Sequence, residues 1–143
     1  MIHASIYDLR KMQTTPPGMR VLTTRHWLRG VSKKELDFWC PEAGPTENLL
    51  KSYREGQISG EEFLFWYTYE QFNCASCHVI GYTNGERASN EQLNCSPIHF
   101  LTDLEKQENV IIVCWERDKL CHREQLLALC LDFQHRRVKA EPV

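Results

Sequence analysis

The stretch VIIVCWERDKLCHREQLL (residues 110–127) decides the fold class. NVIIVCW (residues 109–115) is almost continuously apolar, which is typical of a strand buried on both faces of a parallel sheet. A charged segment follows, and the residues from Cys121 onward predict a long helix. Its predicted inward face carries Leu126, Leu127, Cys130 and Leu131. A buried strand followed by such a helix indicates an α/β domain.

The rest of the chain alternates in the same way. HASIYDL (3–9) and MRVLTTR (19–25) predict two further strands. Helices are predicted over KKELDFW (33–39), ENLLKSYRE (47–55), EEFLFWYTYEQF (61–72) and IHFLTDLEKQ (98–107). Ser32 with Glu35 and Ser59 with Glu62 match the capping box that begins a helix.

We therefore expect one three-layer α/β domain over residues 1–143, with a mostly parallel sheet flanked by helices. Residues 73–97 show no sustained hydrophobic period, so they predict a Cys-rich loop insert. Within this insert, Asn84-Gly85 marks a turn that could close a hairpin.

Composition limits the classes of function. The net charge of −2 argues against a broadly basic nucleic-acid interface, although a local basic patch stays open. No apolar run approaches the roughly 18 residues of a membrane span, and the N-terminus lacks the pattern of a signal peptide. We expect a cytoplasmic protein whose seven cysteines are thiols or metal ligands, with no membrane partner. Oligomeric state leaves no signal in the sequence.

Charged and nucleophilic residues follow each predicted strand. In parallel sheets the carboxyl ends of the strands meet at one edge, where ligands bind. The residues at these ends are Asp8 and Arg10, then Arg25, His26 and Arg29, then Cys114, Glu116 and Arg117. The sequence therefore predicts a site at this edge of the sheet. Trp27 lies between two of the arginines, where it could stack on a bound ring or cap the core.

Four segments of the chain resemble the YeaO-like family, a domain of unknown function (DUF488). They are IYDLR (6–10), GMRVLTTRHWLRGVSKKELDFW (18–39), GQISGEEF (56–63) and VIIVCWERDKLCHREQL (110–126). The resemblance covers about residues 4–70 and 98–133, and it implies a small α/β protein with a polar cluster at one sheet edge. The family usually has aspartate at Thr24 and proline at Leu28. If that aspartate contributes to catalysis, this chain lacks the activity.

The start of the last predicted helix favours anion binding. Asp118 is expected to cap this helix, which places Cys121 and His122 in its first turn. A helix N-terminus carries a partial positive charge and offers free amides, and a thiol there has a lowered pKa. Arg123 adds a guanidinium group suited to oxyanions. Cysteine-dependent phosphatases have an arginine six positions after the nucleophile, but Leu120 occupies that position relative to Cys114.

Two functions fit these residues. In the first, Arg25, Arg29 and Arg123 bind a phosphorylated or nucleotide-like substrate. Cys114 or Cys121 is then the nucleophile or redox thiol, with His122 or Glu116 as acid and base. In the second, the same residues form a non-catalytic module that binds a nucleotide or nucleic acid. The alternative without a functional site is that both thiols are inert packing residues and that the arginines form surface ion pairs.

The Cys-rich insert predicts a zinc site. Cys74, Cys77, Cys95 and His99 form a C-x2-C-x17-C-x3-H pattern, with His78 as an alternative fourth ligand. Such a site would make the protein a zinc-stabilised interaction module. CASCH also matches the c-type haem attachment motif, but that attachment requires export. A redox pair or scattered reduced thiols are the remaining interpretations.

Overall fold

The structure is a computed structural model that describes residues 1–116 and 121–140, with side chains up to residue 137. Its strands are β1 (Ile2–Ser5), β2 (Met19–Leu22), β3 (Phe38–Trp39), β4 (Cys77–Thr83), β5 (Glu86–Leu93) and β6 (Val110–Cys114). Its α-helices are α1 (Ile6–Lys11), α2 (Glu47–Arg54), α3 (Gly60–Phe72), α4 (Pro97–Glu105) and α5 (His122–Ala140). Short 3-10 helices span Lys33–Glu35 and Pro41–Ala43. The predicted α/β class is confirmed.

The strands form one sheet in the order β1-β6-β2-β3-β4-β5. The first four of these strands run parallel, and β4 and β5 continue the sheet in antiparallel fashion. The sheet is therefore mostly parallel, as predicted. Among the described residues, no helix is long and apolar enough to cross a membrane.

β6 is the centre of the core because both of its faces are covered. Val110 and Ile112 belong to the larger apolar cluster, which includes residues from α2 to α5. Ile111 and Val113 belong to a second cluster with α1 and the segment after β2. All four side chains are fully buried. This arrangement confirms that the apolar run is a strand buried on both faces.

The first predicted strand is cut short by a helix. β1 ends at Ser5, whose hydroxyl accepts a hydrogen bond from the amide of Asp8 at 3.0 Å and caps α1. This local bond competes with continuation of the strand. Asp8 and Arg10 consequently lie on α1 instead of directly after a strand end, which corrects the prediction.

The segment predicted as a helix over residues 33–39 divides into two elements. The capping box of Ser32 and Glu35 forms as predicted, but it begins only a single 3-10 turn. Phe38 and Trp39 then pair with β2 on one side and β4 on the other. Pairing within the sheet outweighs the helical tendency of this short segment.

The Cys-rich insert is a β-hairpin and not a loop. Asn84 and Gly85 both have positive φ, 54° and 83°, as expected for a two-residue hairpin turn. β5 is a polar strand at the edge of the sheet, and most of its side chains are exposed on both faces. It therefore lacks the apolar alternation by which strands are detected, and its charges suit an unpaired edge.

Candidate functional site

A cleft of about 230 Å³ opens where β2 and β6 end and α5 begins. It is lined by Thr24, Arg25, His26, Trp27, Leu28, Arg29, Pro45, Leu50, Arg54, Cys114, Trp115, Glu116, Cys121 and His122. The predicted edge of the sheet thus brings together seven of the predicted site residues, namely Arg25, Trp27, Arg29, Cys114, Glu116, Cys121 and His122. A larger and more open groove of about 740 Å³ lies beside the Asn84-Gly85 turn, away from these residues.

Two buried thiols meet in this cleft. The sulfur atoms of Cys114 and Cys121 are 2.9 Å apart. The hydrogen bond from Cys121 and the cation of Arg123 lower the pKa of Cys114, against the opposing effect of burial. The same bond to Cys114, together with burial, raises the pKa of Cys121. Of the two thiols, Cys114 is therefore the one that loses its proton first, and Cys121 is the donor in the hydrogen bond between them.

His122 stands beside the thiol pair in a fixed orientation. Its Nε2 is 2.6 Å from the carbonyl oxygen of Thr23, and its Nδ1 is 3.6 Å from the sulfur of Cys121. Because a carbonyl oxygen only accepts, Nε2 must carry the proton. In the neutral ring Nδ1 is then an acceptor that faces Cys121. The amide and hydroxyl of Thr23 in turn donate to the carbonyl of Val113, which ties the histidine to β6.

Three arginines give the cleft a positive character. Arg25 donates to the carbonyl oxygens of Gly44 at 3.0 Å and Pro45 at 3.5 Å. The Arg54 guanidinium lies 6.0 Å from the centroid of the Trp115 ring, and Arg29 is exposed. Within the described part of the chain, none of these guanidinium groups forms an ion pair with a carboxylate.

Trp27 lines the cleft as a packed residue. Its ring makes edge contacts with Trp39 and Tyr82 at centroid distances of 5.6 and 5.4 Å. Its indole nitrogen donates to the carbonyl of Val31 at 3.0 Å. The indole is thus held in the second core cluster and exposes only part of its surface to the cleft.

A family model described as the inactive DUF488-N3 subclade matches residues 3–80, more than half of the 143 residues. The chain belongs to the DUF488 family. This confirms the resemblance found in the sequence. The matched segment includes the cleft residues from Thr24 to Arg54 but ends before Cys114 and the start of α5. Comparison with curated proteins gave no match, and comparison with solved structures gave none either.

Three residues predicted to bind a ligand lie outside the cleft of this DUF488 chain. Arg10 pairs with both carboxylate oxygens of Glu35, at 2.6 and 2.8 Å, on a different surface. Asp8 lies on α1 and does not line the cleft. Arg123 is buried beneath the cleft and donates to Cys114, His3 and the carbonyl of Glu116. Arg123 therefore hydrogen-bonds to the thiol pair and does not line the cleft where a ligand would bind.

The predicted zinc ligands do not form a ligand set. Cys74 donates to the carbonyl of Ser76 at 3.1 Å, and His99 pairs with Asp103 at 3.1 Å. Cys77 and Cys95 are neighbours, but the other thiol beside Cys77 is Cys40, which is not one of the predicted ligands. Throughout residues 1–116 and the described part of α5, no three His, Cys, Asp or Glu side chains are placed to hold a metal ion. The structure therefore does not support zinc.

The alternative fourth ligand is also engaged elsewhere. The ring of His78 pairs with the carboxylate of Glu42 at 3.2 Å, and the same carboxylate accepts the backbone amide of His78. Asp118, which was predicted to cap α5, lies outside the described residues, as do Arg117 and Leu120.

Sequence reasoning missed several residues that shape the cleft of the DUF488 chain. Arg54 and Leu50 lie four positions apart on α2, so they share a helical face, and this spacing was an available signal. Thr23 orients His122 through its backbone carbonyl, which any residue type provides. Gly44 accepts a hydrogen bond from Arg25 through its carbonyl, and no local pattern identifies it.

Gly44→Ala is expected to loosen the cleft. A Cβ at this position would lie 2.5 Å from the backbone nitrogen of Arg25 and 2.9 Å from the carbonyl carbon of Thr24. Because both neighbours are backbone atoms, the chain must shift. We expect the free energy of unfolding to fall by about 1–3 kcal/mol, the range for overpacked sites, as measured by urea denaturation. An unchanged denaturation midpoint would show that the close contact between Gly44 and the backbone of Thr24 and Arg25 does not require glycine.

Proposed function

We propose that the cleft binds a small phosphate-bearing molecule and does not convert it. The observation that carries this proposal is that three arginines line one small cleft and lack carboxylate partners among the described residues. Cations that share one cleft repel one another, and a bound anion offsets that repulsion. Arginine also matches the geometry of a phosphate through paired hydrogen bonds.

The shape of the cleft restricts the size of the ligand. Its volume of about 230 Å³ is below the roughly 300–1,000 Å³ of pockets for drug-sized ligands. A phosphomonoester of a small sugar, or the phosphate end of a mononucleotide, suits this volume better than a dinucleotide. Arg29 is exposed at the rim, where it can approach an entering anion first.

Binding without turnover is supported by two observations. The matching subclade is described as inactive. Thr24, where the family usually has aspartate, directs its hydroxyl to the carbonyl of His26 at 2.7 Å. The hydroxyl therefore stabilises the turn after β2 through this hydrogen bond. A threonine at this position provides no carboxylate for acid–base chemistry.

The test is calorimetric titration of the reduced wild-type chain with inorganic phosphate, ribose 5-phosphate and adenosine monophosphate, in a phosphate-free buffer. We expect saturable binding of at least one of these probes, recovered unchanged after incubation. Arg29→Ala and Arg54→Ala should each weaken that binding about tenfold or more, because each removes a charge-assisted hydrogen bond of roughly 1.5–3 kcal/mol.

Lys51→Ala is the matched control. Lys51 lies on α2, the same helix as Arg54, but it does not line the cleft. Its replacement by alanine removes the same unit of positive charge. This variant should change the affinity by less than either arginine variant. Equal effects of Lys51→Ala and Arg54→Ala would mean that the net charge of the chain, and not a contact in the cleft, determines the affinity. The absence of binding by all three probes would reject the site. A product in the recovered ligand would reject the non-catalytic part of the proposal.

A further inference from the structure

We propose that Cys114 and Cys121 form a redox site, in which Cys114 reacts with a small hydroperoxide and Cys121 then closes a reversible disulfide. The proposal rests on the geometry of the two thiols and stands whether or not the cleft binds a phosphate ester. Neither cysteine lies in the segment matched by the family.

The two sulfur atoms are already close to bonding distance. They are 2.9 Å apart, and a disulfide needs about 2.05 Å, so closure requires a movement of less than 1 Å. Cys114 ends β6 and Cys121 immediately precedes α5. The bond would therefore join the central strand to the last helix across a short connection.

The surroundings assign different roles to the two thiols. A guanidinium nitrogen of Arg123 lies 2.7 Å from the sulfur of Cys114, and this cation stabilises the thiolate form. Arg123 also interacts with Cys121, but only Cys121 faces Nδ1 of His122, at 3.6 Å. Cys114 is thus the nucleophile, and Cys121 is the resolving thiol whose proton His122 can accept.

The chemistry balances with a hydroperoxide as the oxidant. The Cys114 thiolate attacks the terminal oxygen of the hydroperoxide and the O–O bond breaks. The alkoxide or hydroxide that leaves takes a proton from solvent water and becomes alcohol or water. Cys114 is then a sulfenic acid. Cys121 gives its proton to His122 and attacks the Cys114 sulfur. The S–S bond forms, the S–O bond breaks, and the hydroxide leaves as water with the proton from His122. The two thiols lose two electrons and the hydroperoxide gains them.

The cleft explains how an oxidant reaches buried thiols. Cys114 and Cys121 are only 1% and 8% exposed, yet both line the cleft, which is larger than a hydroperoxide. Cys130 is equally buried in the core, where burial raises its pKa to about 12, and it does not line the cleft. Oxidation should therefore select the pair in the cleft over Cys130.

The test uses the reduced 143-residue chain treated with equimolar hydrogen peroxide, then alkylated under denaturing conditions and digested with trypsin. Trypsin cleaves after Arg117 and Lys119, so Cys114 and Cys121 fall in separate peptides, 107–117 and 120–123. We expect these two peptides to be linked by a disulfide, and the link to be lost after treatment with dithiothreitol.

Three variants divide the mechanism into steps. Cys121→Ser should lose the link and accumulate a Cys114 sulfenic acid that dimedone traps. Cys114→Ser should lose both the link and the trapped species. Cys130→Ser is the control and should form the link as the wild type does. The proposal fails if peroxide oxidises other cysteines while peptides 107–117 and 120–123 stay unlinked. It also fails if Cys121→Ser yields no trapped Cys114.

Discussion

Tyr67→Ala is expected to lower the free energy of unfolding by about 3–5 kcal/mol, the range for truncating a large buried aromatic side chain. Tyr67 is fully buried on α3. Its ring stacks against Phe63 at 6.5 Å and meets the ring of His122 edge-on at 5.3 Å. Its hydroxyl donates to the carbonyl of Ala43 at 2.6 Å. Truncation therefore removes core packing and the support behind the cleft together.

Tyr67→Phe separates the hydrogen bond from the packing. The ring stays, but the buried carbonyl of Ala43 loses this donor, which should cost about 1–3 kcal/mol. Urea denaturation of the two variants gives both quantities, and their difference is the contribution of the ring.

Tyr69→Ala is the matched control for this helix. Tyr69 is 55% exposed on α3, two positions from Tyr67. Its truncation should change the free energy of unfolding by no more than about 0.5 kcal/mol. A cost equal to that of Tyr67→Ala would mean that loss of an aromatic side chain, and not its burial, determines the effect.

The central strand and the helix ends could be predicted from sequence because their signals are local. The apolar run of β6 can be satisfied only by burial on both faces, and serine caps act within three residues. The gathering of Arg25, Cys114 and His122 followed from one further rule, that parallel strands end at the same edge. These parts of the site needed no knowledge of side-chain packing.

Other parts of the site depend on contacts between distant elements. Arg54 reaches the cleft only because α2 packs beside the end of β6, and Gly44 matters only because its backbone meets that of Arg25. β5 escaped detection because an edge strand exposed on both faces needs no apolar alternation. The inward direction of Arg123 depends on how α5 is rotated against the sheet, which the helical pattern does not determine.

Arg123→Met is expected to destabilise the fold and to change the reactivity of Cys114. Arg123 is 8% exposed, and its guanidinium donates to the sulfur of Cys114 at 2.7 Å and to Nδ1 of His3 at 3.0 Å. It also donates to the carbonyl of Glu116. Methionine keeps an apolar stem of similar length but leaves these acceptors unpaired. We expect the free energy of unfolding to fall by about 2–4 kcal/mol.

Reactivity gives a readout that general destabilisation does not reproduce. The hydrogen bond from Cys121 and the cation of Arg123 lower the pKa of Cys114. Without the cation, the thiolate is less stable and the pKa must rise. Cys114 in the folded chain is alkylated with iodoacetamide at a series of pH values, and the modified peptide 107–117 is quantified after digestion. The alkylation rate should reach its half-maximum at higher pH in Arg123→Met than in the wild type. Disulfide formation at neutral pH should slow in parallel.

Arg136→Met is the control, and Arg123→Lys identifies the physical cause. Arg136 is 78% exposed on the same helix, so its loss should leave both the stability and the pH profile of Cys114 unchanged. Arg123→Lys keeps the charge but not the fork of donors, so it should restore part of the low pKa without restoring the contacts to His3 and Glu116. If Arg123→Met lost stability while Cys114 kept its pH profile, the arginine would act only as a structural donor. The hydrogen bond from Cys121 alone would then account for the lowered pKa of Cys114.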